Sequence, residues 1–320
     1  MNSFVYHLSA PLGAARPDAP MFFAKRNKLQ RFPSTQLTKT QIKRYREEGF
    51  LVFRHFLTQR EVIRAKAAIR EVVKRTVLSP ELARYQQPDT LKDNQSGACY
   101  RSRSSNFSIR LEAGWNPEGR SWQEIEQHTR QLMNYHSEHQ VFHQIGVSNV
   151  RLLKILGQLL NDYTVLYQSV AFVKPARIGR AKAWHQDNAY FRMADLNKVL
   201  GIWIALDQAS VENGCMHVIP GGHKSGPMKH HHTTDCEIVA GRFDPDLAMP
   251  IELAPGGIII FHSNLPHMTP PNKSSKRRRA LQFHYRAESN EVLSFLEYES
   301  VFKEHDGTPA SCAAAQQRGL

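Results

Sequence analysis

The sequence of 320 residues contains no run of 18 consecutive apolar residues, and it therefore predicts no membrane-spanning helix. It has only four cysteines and no CxxC pair, so neither a zinc-binding spacing nor a disulfide framework is expected. Reduced thiols in a cytoplasmic protein are the expectation that follows. Residues 1–36 lack the apolar core of a secretory signal, although five basic residues against one acidic residue leave a transit peptide open.

Acidic residues are in the minority, 29 against 42 basic ones, which gives a formal net charge of +13. Such an excess is typical of proteins that bind nucleic acid, membrane surfaces or anionic small molecules. The basic residues are spread along the chain, and no zinc finger or aromatic–glycine–aromatic strand motif is found. We therefore expect a small-molecule substrate and no nucleic acid. Whether the charge attracts an acidic substrate or only maintains solubility stays open, as does the oligomeric state.

The hydrophobic pattern changes along the chain. Residues 1–36 contain four prolines without periodicity and predict an irregular arm. Helices are expected over 39–48, 58–77, 121–144 and 148–160, and the polar stretch 80–112 predicts a long loop. From 163 to 290, short β-branched and aromatic runs are separated by turns rich in glycine, proline and asparagine.

This order of elements indicates one α+β domain over 37–300, helical over 37–160 and with a sheet sandwich or barrel over 163–290. Residues 301–320 are expected to form a C-terminal tail. No internal repeat divides the chain further.

The sharpest motif is WHQDNAYF at 184–191. His185 and Asp187 are two residues apart, so on a strand both side chains lie on one face. Together with a distant histidine they can form the two-histidine, one-carboxylate triad, which occupies one face of Fe(II) and leaves three positions open. An isolated HxD motif is frequent by chance, and a surface histidine beside a capping aspartate is the alternative.

The segment PGGIIIFHSNLPHMTPPN at 255–272 provides a candidate for the distant histidine. Its apolar strand is followed by a loop that presents His267, while His217, His262 and His284 are the competing candidates. Contiguous residues on one loop rarely converge on one ion, so the histidine run at 230–232 is not expected to bind metal.

An arginine follows this segment, and its planar guanidinium could bind a dicarboxylate through two hydrogen bonds. Strand alternation puts Arg278 on the face of Ala280 and His284, which are small or polar, and Arg279 on the opposite, apolar face. This pattern favours Arg278, but a register error of one residue would select Arg279.

These stretches resemble the phytanoyl-CoA dioxygenase family, whose members are Fe(II)/2-oxoglutarate oxygenases. The matching segments, in the family's order, are WHQDNAYF, then WIALDQASVENGCMHVIPGGHKSG at 203–226, then PGGIIIFHSNLPH and PPNKSSKRRRAL. The helical segment 37–76 is also similar. The resemblance implies a double-stranded β-helix, or jelly-roll barrel, with N-terminal helices packed around it and a metal at its mouth.

The resemblance also implies a role for eight residues. The iron ligands would be His185, Asp187 and His267. The residues binding 2-oxoglutarate would be Arg278, Thr269, Trp203, Lys174 and Gln168, the last of which faces either co-substrate or substrate. For Trp203, a plain core position is the alternative.

The activity that the resemblance implies is hydroxylation of an unactivated C–H bond with Fe(II), 2-oxoglutarate and O2, releasing succinate and CO2, and stimulated by ascorbate. Because iron halogenases lack the carboxylate, Asp187 favours a hydroxylase. A cupin-like metalloenzyme independent of 2-oxoglutarate and a catalytically inactive binding protein on the same barrel are the alternatives. Candidates for contacting an anionic substrate are Arg101, Arg103, Arg180 and Lys182.

Overall fold

The computed structural model describes residues 35–87, 97–232, 235–303, 305–307 and 310–314. The expected arm over 1–36 therefore lies outside the described residues except for its last two positions. Within the described ranges, no helix is both long enough and apolar enough to cross a membrane.

Five of the six α-helices in the described residues precede the strand-rich C-terminal half of the chain, and the sixth follows it. They are α1 (Lys39–Glu48), α2 (Gln59–Leu78), α3 (Trp122–Gln127), α4 (Gln140–Gly146), α5 (Val150–Leu160) and α6 (Phe295–Phe302). The first two begin at capping boxes, in which a threonine and the residue three positions later bond each other's backbone N–H groups. Helix α1 ends at Gly49, whose φ of 84° is the left-handed conformation that glycine adopts without strain.

The strands form two principal sheets and a separate hairpin. They are β1 (Phe50–Phe53), β2 (Ala83–Gln86), β3 (Cys99–Ser102), β4 (Ser108–Leu111), β5 (Thr129–Met133), β6 (Thr164–Lys174), β7 (Lys182–His185), β8 (Val199–Ala205), β9 (Met216–Val218), β10 (His230–His232), β11 (Cys236–Ile238), β12 (Met249–Ile251), β13 (Ile258–His262), β14 (His267–Thr269) and β15 (Arg278–Ala287). The major sheet has the order β1-β13-β8-β15-β6-β5-β4-β3-β2, the minor sheet has the order β12-β9-β14-β7, and β10 pairs with β11.

Two apolar layers hold these elements together. The larger one lies between the helices and the outer face of the major sheet, where α2 and α5 pack on β15 residues such as Leu281 and Phe283. The second lies between the two sheets and includes Trp203, Met216 and Phe261. The inner face of the major sheet therefore looks across this second layer toward the minor sheet.

Two sequence predictions about local structure are wrong. The helix expected over 121–144 is interrupted, because strand β5 lies between α3 and α4 and joins the major sheet next to β6. The loop expected over 80–112 contains β2, β3 and β4, which extend the same sheet, while 88–96 lies outside the described residues. These strands carry many polar side chains because the sheet is only partly buried there, and they therefore lack the hydrophobic pattern by which a strand is predicted.

The expectation of reduced thiols is also wrong for one pair, because Cys236 and Cys312 form a disulfide. Their separation of 76 residues gives no sequence signal, and the pairing arises because the C-terminal residues fold back onto β11. Residues 313–314 pack against Tyr298 of α6. This helix ends at Phe302, two residues beyond the expected end of the domain at residue 300. Cys99 and Cys215 are free thiols.

Candidate metal and co-substrate site

Three predicted ligands meet on the minor sheet. His185 is the last residue of β7 and His267 is the first residue of β14, and the two are direct partners in the antiparallel ladder. Asp187 begins the 3₁₀ turn Asp187–Tyr190 that follows β7. Their potential ligand atoms all lie within 4.8 Å of one another, and in the described part of the chain this is the one group of histidine, cysteine or carboxylate side chains so arranged.

The hydrogen bonds of the two imidazoles leave suitable nitrogens for a metal. Nδ1 of His185 lies 2.8 Å from the carbonyl of Ala183, and Nδ1 of His267 lies 3.0 Å from that of Leu265. Because a carbonyl can only accept, each Nδ1 carries the proton and each Nε2 presents a lone pair. These Nε2 atoms are 3.6 and 3.7 Å from the same oxygen of Asp187, Oδ1.

Burial and neighbouring groups set the charge states of the cluster. Burial alone would raise the pKa of Asp187, but the neighbouring His284 and His267, together with the hydrogen-bond contact to His284, hold it well below its usual range. Burial and the proximity of His185 lower the pKa of His267 to about 3. A deprotonated carboxylate and a neutral imidazole are the forms in which these side chains bind a metal.

The residues between and after the ligands anchor the motif, a role that the sequence did not reveal. The Gln186 amide group donates to the carbonyls of Gly226 and Asn264, and its oxygen accepts from the backbone N–H of Met228. Nε2 of His230 accepts from the backbone N–H of Gln186 at 3.0 Å. The first residue of the histidine run at 230–232 therefore supports the turn through a hydrogen bond.

The register of β15 shows which of the two candidate arginines faces inward. Arg278 is 1% exposed and lies on the inner face, where its Nη2 donates to the carbonyl of Gly214 at 3.1 Å. Its Nε and Nη1 are buried and have no hydrogen-bond partner. Burial lowers its pKa to about 10, so it stays cationic at neutral pH. A buried cation with two unused donors is suited to an anionic ligand.

The neighbouring arginines are engaged elsewhere. Arg279 donates from Nε and Nη2 to the carboxylate of Asp207 at 2.8 and 3.0 Å, and Arg277 makes a comparable pair of contacts with Glu126. Both pairs lie outside the space between the two sheets. Of these three residues, Arg278 is the one with two unpartnered guanidinium nitrogens and no hydrogen bond to a carboxylate of the described residues.

Two other predicted co-substrate residues surround Arg278. Lys174, its ladder partner on β6, is 6% exposed and donates from Nζ to the carbonyls of Thr269 and Pro270. Burial, together with Arg278 nearby, lowers the pKa of Lys174 well below its usual range. The ring of Trp203 is 5.1 Å from Cζ of Arg278, within the range of a cation–π contact. Thr269 follows His267 by two residues, so this cluster is continuous with the metal candidate.

Comparison with known proteins agrees with this geometry. The family model of phytanoyl-CoA dioxygenase matches residues 45–280. The chain belongs to this family. The phytanoyl-CoA dioxygenase domain-containing protein 1 of Rattus norvegicus is 26% identical over 276 residues, covering 81% of this chain and 93% of that protein. A phytanoyl-CoA dioxygenase of Arabidopsis thaliana is 35% identical over 124 residues, covering 38% of this chain and 44% of that protein.

Solved structures share the fold of this family member. EvdO2 of Micromonospora carbonacea var. aurantiaca, solved in complex with 2-oxoglutarate, aligns with a TM-score of 0.54 and 23% identity over 81% of this chain and 94% of that one. EctD of S. alaskensis, solved with 2-oxoglutarate and 5-hydroxyectoine, aligns with a TM-score of 0.58 and 18% identity over 80% of this chain and 78% of that one. The double-stranded β-helix expected from the sequence is confirmed.

Membership in the phytanoyl-CoA dioxygenase family makes the chain an Fe(II)- and 2-oxoglutarate-dependent oxygenase, with O2 as the second co-substrate. The residues present fit both groups. Two imidazole nitrogens and a carboxylate oxygen are a donor set for Fe(II), and the unpartnered nitrogens of Arg278 fit a carboxylate.

The remaining candidate for the co-substrate region of this family member, Gln168, lies on β6 opposite His284. It lines a polar cavity of about 430 Å³ together with His136, Asn134 and Tyr167, among others. Tyr167 contacts Phe191, which in turn contacts the ring of His284. Gln168 is therefore on the strand next to His284, the residue that contacts Asp187.

The alternative metal-binding histidines lie outside the group of three ligands. His262 accepts from the backbone N–H of Asn264 and contacts His223, and His217 lies on β9 beside the carbonyl of Cys215. His284 contacts the ligand Asp187 itself, at 2.8 Å from Oδ2. From the sequence alone, His284 was a competing metal ligand. Strand alternation shows that its side chain faces inward, but it cannot show whether that side chain binds the metal or contacts a residue that does.

The four basic residues suggested for substrate binding all have protein partners. Lys182 binds Asp235 and the hydroxyl of Tyr190, and Arg180 lies 4.0 Å from Glu112. Their exposed counterparts in the sequence, Arg101 and Arg103, donate to the Gln86 amide oxygen and to the Pro80 carbonyl.

Proposed function

We propose that this oxygenase is a hydroxylase of an unactivated C–H bond in a small molecule, with succinate and CO2 as co-products. The observation that carries the proposal is the pairing of a buried two-histidine, one-carboxylate cluster with the two unpartnered nitrogens of Arg278. The presence of Asp187 supports hydroxylation over halogenation, because the carboxylate fills the position that a halide would need.

In this proposal, His185, Asp187 and His267 hold Fe(II), and Arg278 binds the far carboxylate of 2-oxoglutarate. Lys174 lies beside Arg278 as its ladder partner, and the ring of Trp203 forms a wall of the co-substrate pocket. Thr269 lies beside this pocket, where its hydroxyl would assist Arg278. Gln168 faces the substrate. We also propose a single oxygenase domain over 37–300, because β1 from the N-terminal half pairs with β13 from the C-terminal half.

The protein residues perform three tasks in this mechanism. When bound, the Fe(II) and 2-oxoglutarate pair activates O2 for oxidation of the substrate. The carbonyls of Ala183 and Leu265 fix the imidazole tautomers, so both Nε2 atoms face the metal position without rearrangement. Burial of all three ligands limits the access of water to the reactive centre, and Arg278 fixes the co-substrate orientation through charge-assisted hydrogen bonds.

The test measures the ratio of succinate formed to O2 consumed for a panel of candidate substrates, in the presence of Fe(II), 2-oxoglutarate and ascorbate. A hydroxylase is expected to form one succinate for each O2 consumed and to release a hydroxylated product. A cupin-like metalloenzyme would consume O2 without forming succinate. A binding protein would do neither, and either of these results contradicts the proposal.

We further propose that the substrate carries an acidic group. The inner side of the extended sheet presents a row of arginines in which Arg84 is paired with Arg101, and Arg110 is diagonal to Arg101. Directly opposed like charges destabilise a sheet unless an anion lies between them. Arg110 has no hydrogen bond or ion pair to another described residue, and its charge influences Tyr190, whose ring lies 6.1 Å from that of His185.

Ionic strength tests the acidic-substrate proposal separately. Exposed charges are screened over about 8–10 Å at physiological salt, so kcat/KM is expected to fall steeply as salt rises. Replacement of Arg110 by Gln, or of Arg101 by Glu, should weaken substrate binding. The control is Arg120→Gln, which removes an exposed arginine just before α3. A kcat/KM that is flat with salt and unaffected by these substitutions rejects the acidic substrate and leaves the oxygenase assignment intact.

A further inference from the structure

The two carboxylate oxygens of Asp187 have different surroundings. Oδ1 lies 3.6 Å from Nε2 of His185 and 3.7 Å from Nε2 of His267, so it faces the position that both imidazoles face. Oδ2 points away and lies 2.8 Å from Nε2 of His284. One oxygen is thus directed to the metal position, and the other is engaged by the protein.

His284 is itself held in place. It is 2% exposed, it lies on β15 between ladder partners Gln168 and Gly201, and its ring packs edge-on against Phe191 with centroids 4.9 Å apart. The side-chain amide of Gln282 lies 2.8 Å from the same Nε2. Because Nε2 donates its proton toward Oδ2, the amide can only accept here, and its oxygen is the atom that faces His284. A side chain restrained by two strands and an aromatic ring is able to fix the direction of the group that it contacts.

This contact matters because a carboxylate can bind a metal through one oxygen or through both. A two-oxygen mode would use one of the three positions that the triad must leave for 2-oxoglutarate and O2. We propose that His284 is a positioning residue that engages Oδ2 of Asp187 and so keeps Asp187 a one-oxygen ligand. The inference rests on the proposed function, because it presupposes Fe(II) at the three ligands.

The competing interpretation is that His284 only fills space between β15 and Phe191. The two interpretations predict different results, because a space-filling role depends on the volume of the ring, whereas a positioning role depends on its N–H group. Replacement of His284 by Phe retains a ring of similar shape and removes the donor. Replacement by Gln loses the ring and retains a donor that can reach Oδ2.

The experiment measures anaerobic Fe(II) binding by calorimetry, followed by the visible charge-transfer band of the complex with 2-oxoglutarate. Loss of an outer partner of a metal ligand typically weakens metal binding by about 10- to 100-fold. We expect His284→Phe to lose about that factor and to show a weaker or shifted band at saturating Fe(II). His284→Gln is expected to stay within about threefold of the native protein. His262→Leu is the control, because it removes another buried histidine that lies outside the ligand group.

The outcomes are separable. If His284→Phe binds Fe(II) and forms the band as the native protein does, or if His284→Gln is as damaged as His284→Phe, the positioning role is wrong. An equal loss in His262→Leu would also overturn it, since the effect would then be general loosening of the barrel. Should His284→Phe fail to fold by circular dichroism, His284→Leu removes the donor with a smaller apolar side chain, and native Fe(II) affinity in that variant would equally overturn the positioning role. A native protein that binds neither Fe(II) nor 2-oxoglutarate instead refutes the proposed function itself.

Discussion

The two halves of the site satisfy their polar groups in opposite ways. On the minor sheet, each ligand imidazole has its Nδ1 bonded to a carbonyl, and Asp187 has one oxygen engaged by His284. On the major sheet, Arg278 has two buried guanidinium nitrogens without a partner, and Lys174 lies beside it on the neighbouring strand. In the first half, the protein itself supplies the hydrogen bonds that orient the three side chains. In the second half, two donors of Arg278 have no partner among the described residues.

This difference indicates how each half binds its ligand. The metal half is preorganised, because the geometry of the donors is fixed by hydrogen bonds before any ion arrives. The co-substrate half gains its missing hydrogen bonds only when a carboxylate is present, and a buried unsatisfied donor is costly. Binding of 2-oxoglutarate is therefore expected to stabilise the fold more strongly around Arg278 than elsewhere.

The largest effect is expected from the metal half. Replacement of Asp187 by Ala should abolish Fe(II)-dependent turnover and Fe(II) binding, since it removes one of three ligands and leaves two. The fold should persist, because one small side chain at the mouth contributes little packing. Metal analysis and circular dichroism are the measurements, with the exposed Asp246→Ala as control. Full activity in Asp187→Ala would rule out the triad.

In the co-substrate half, Arg278→Ala should raise the KM for 2-oxoglutarate more than tenfold. Losing one partner of a buried charged contact costs about 2–5 kcal/mol, because the other charge is left unpaired. Arg279→Ala is the matched control, since it removes the adjacent guanidinium but breaks only the pair with Asp207. A larger increase in KM for Arg279→Ala would show that the assignment of the inward arginine is wrong.

The smallest effect concerns acid stability of the apoprotein. Burial lowers the pKa of His262 to about 4, from about 6.5 in the unfolded chain. Between these values the unfolded state binds the additional proton, so the free energy of unfolding should fall as pH decreases from about 6.5 to 4, by up to about 1.4 kcal/mol per pH unit. His262→Leu should flatten this dependence of Tm, while the exposed His55→Leu should not. An unchanged dependence in His262→Leu would contradict the assignment.

The sequence predicted those parts of the site that depend on alternation and short spacing. The inward face of Arg278 follows from a period of two along a strand. The same period suggested that His185 and Asp187 share a face, although the strand ends at His185 and a turn presents Asp187. The choice of His267 came from its place after an apolar strand and from the family resemblance. The main strands of the C-terminal half were also anticipated, because they are apolar runs bounded by turns. The structure has these elements at nearly the expected bounds.

Other features depend on contacts between distant segments, which no local pattern encodes. The support of Asp187 by His284 joins residues 97 positions apart, and the bond of Gln186 to His230 joins residues 44 apart. Strands β2 to β5 were missed because their inner face carries polar residues and arginines, so they lack the apolar alternation of a strand. The pairing of Cys236 with Cys312 was missed for the same reason of distance.

Three consecutive arginines, Arg277, Arg278 and Arg279, stand where β15 begins, and the parity of the strand decides which of them faces inward. Arg278 and His284 are an even number of residues apart and share the inner face, so the contact to the co-substrate and the support of Asp187 depend on one register. A shift of one residue would move every side chain to the opposite face. In evolutionary terms, a single residue inserted into or deleted from the connection between β14 and β15, if it shifted β15, would disable both halves of the site without altering the arginine count.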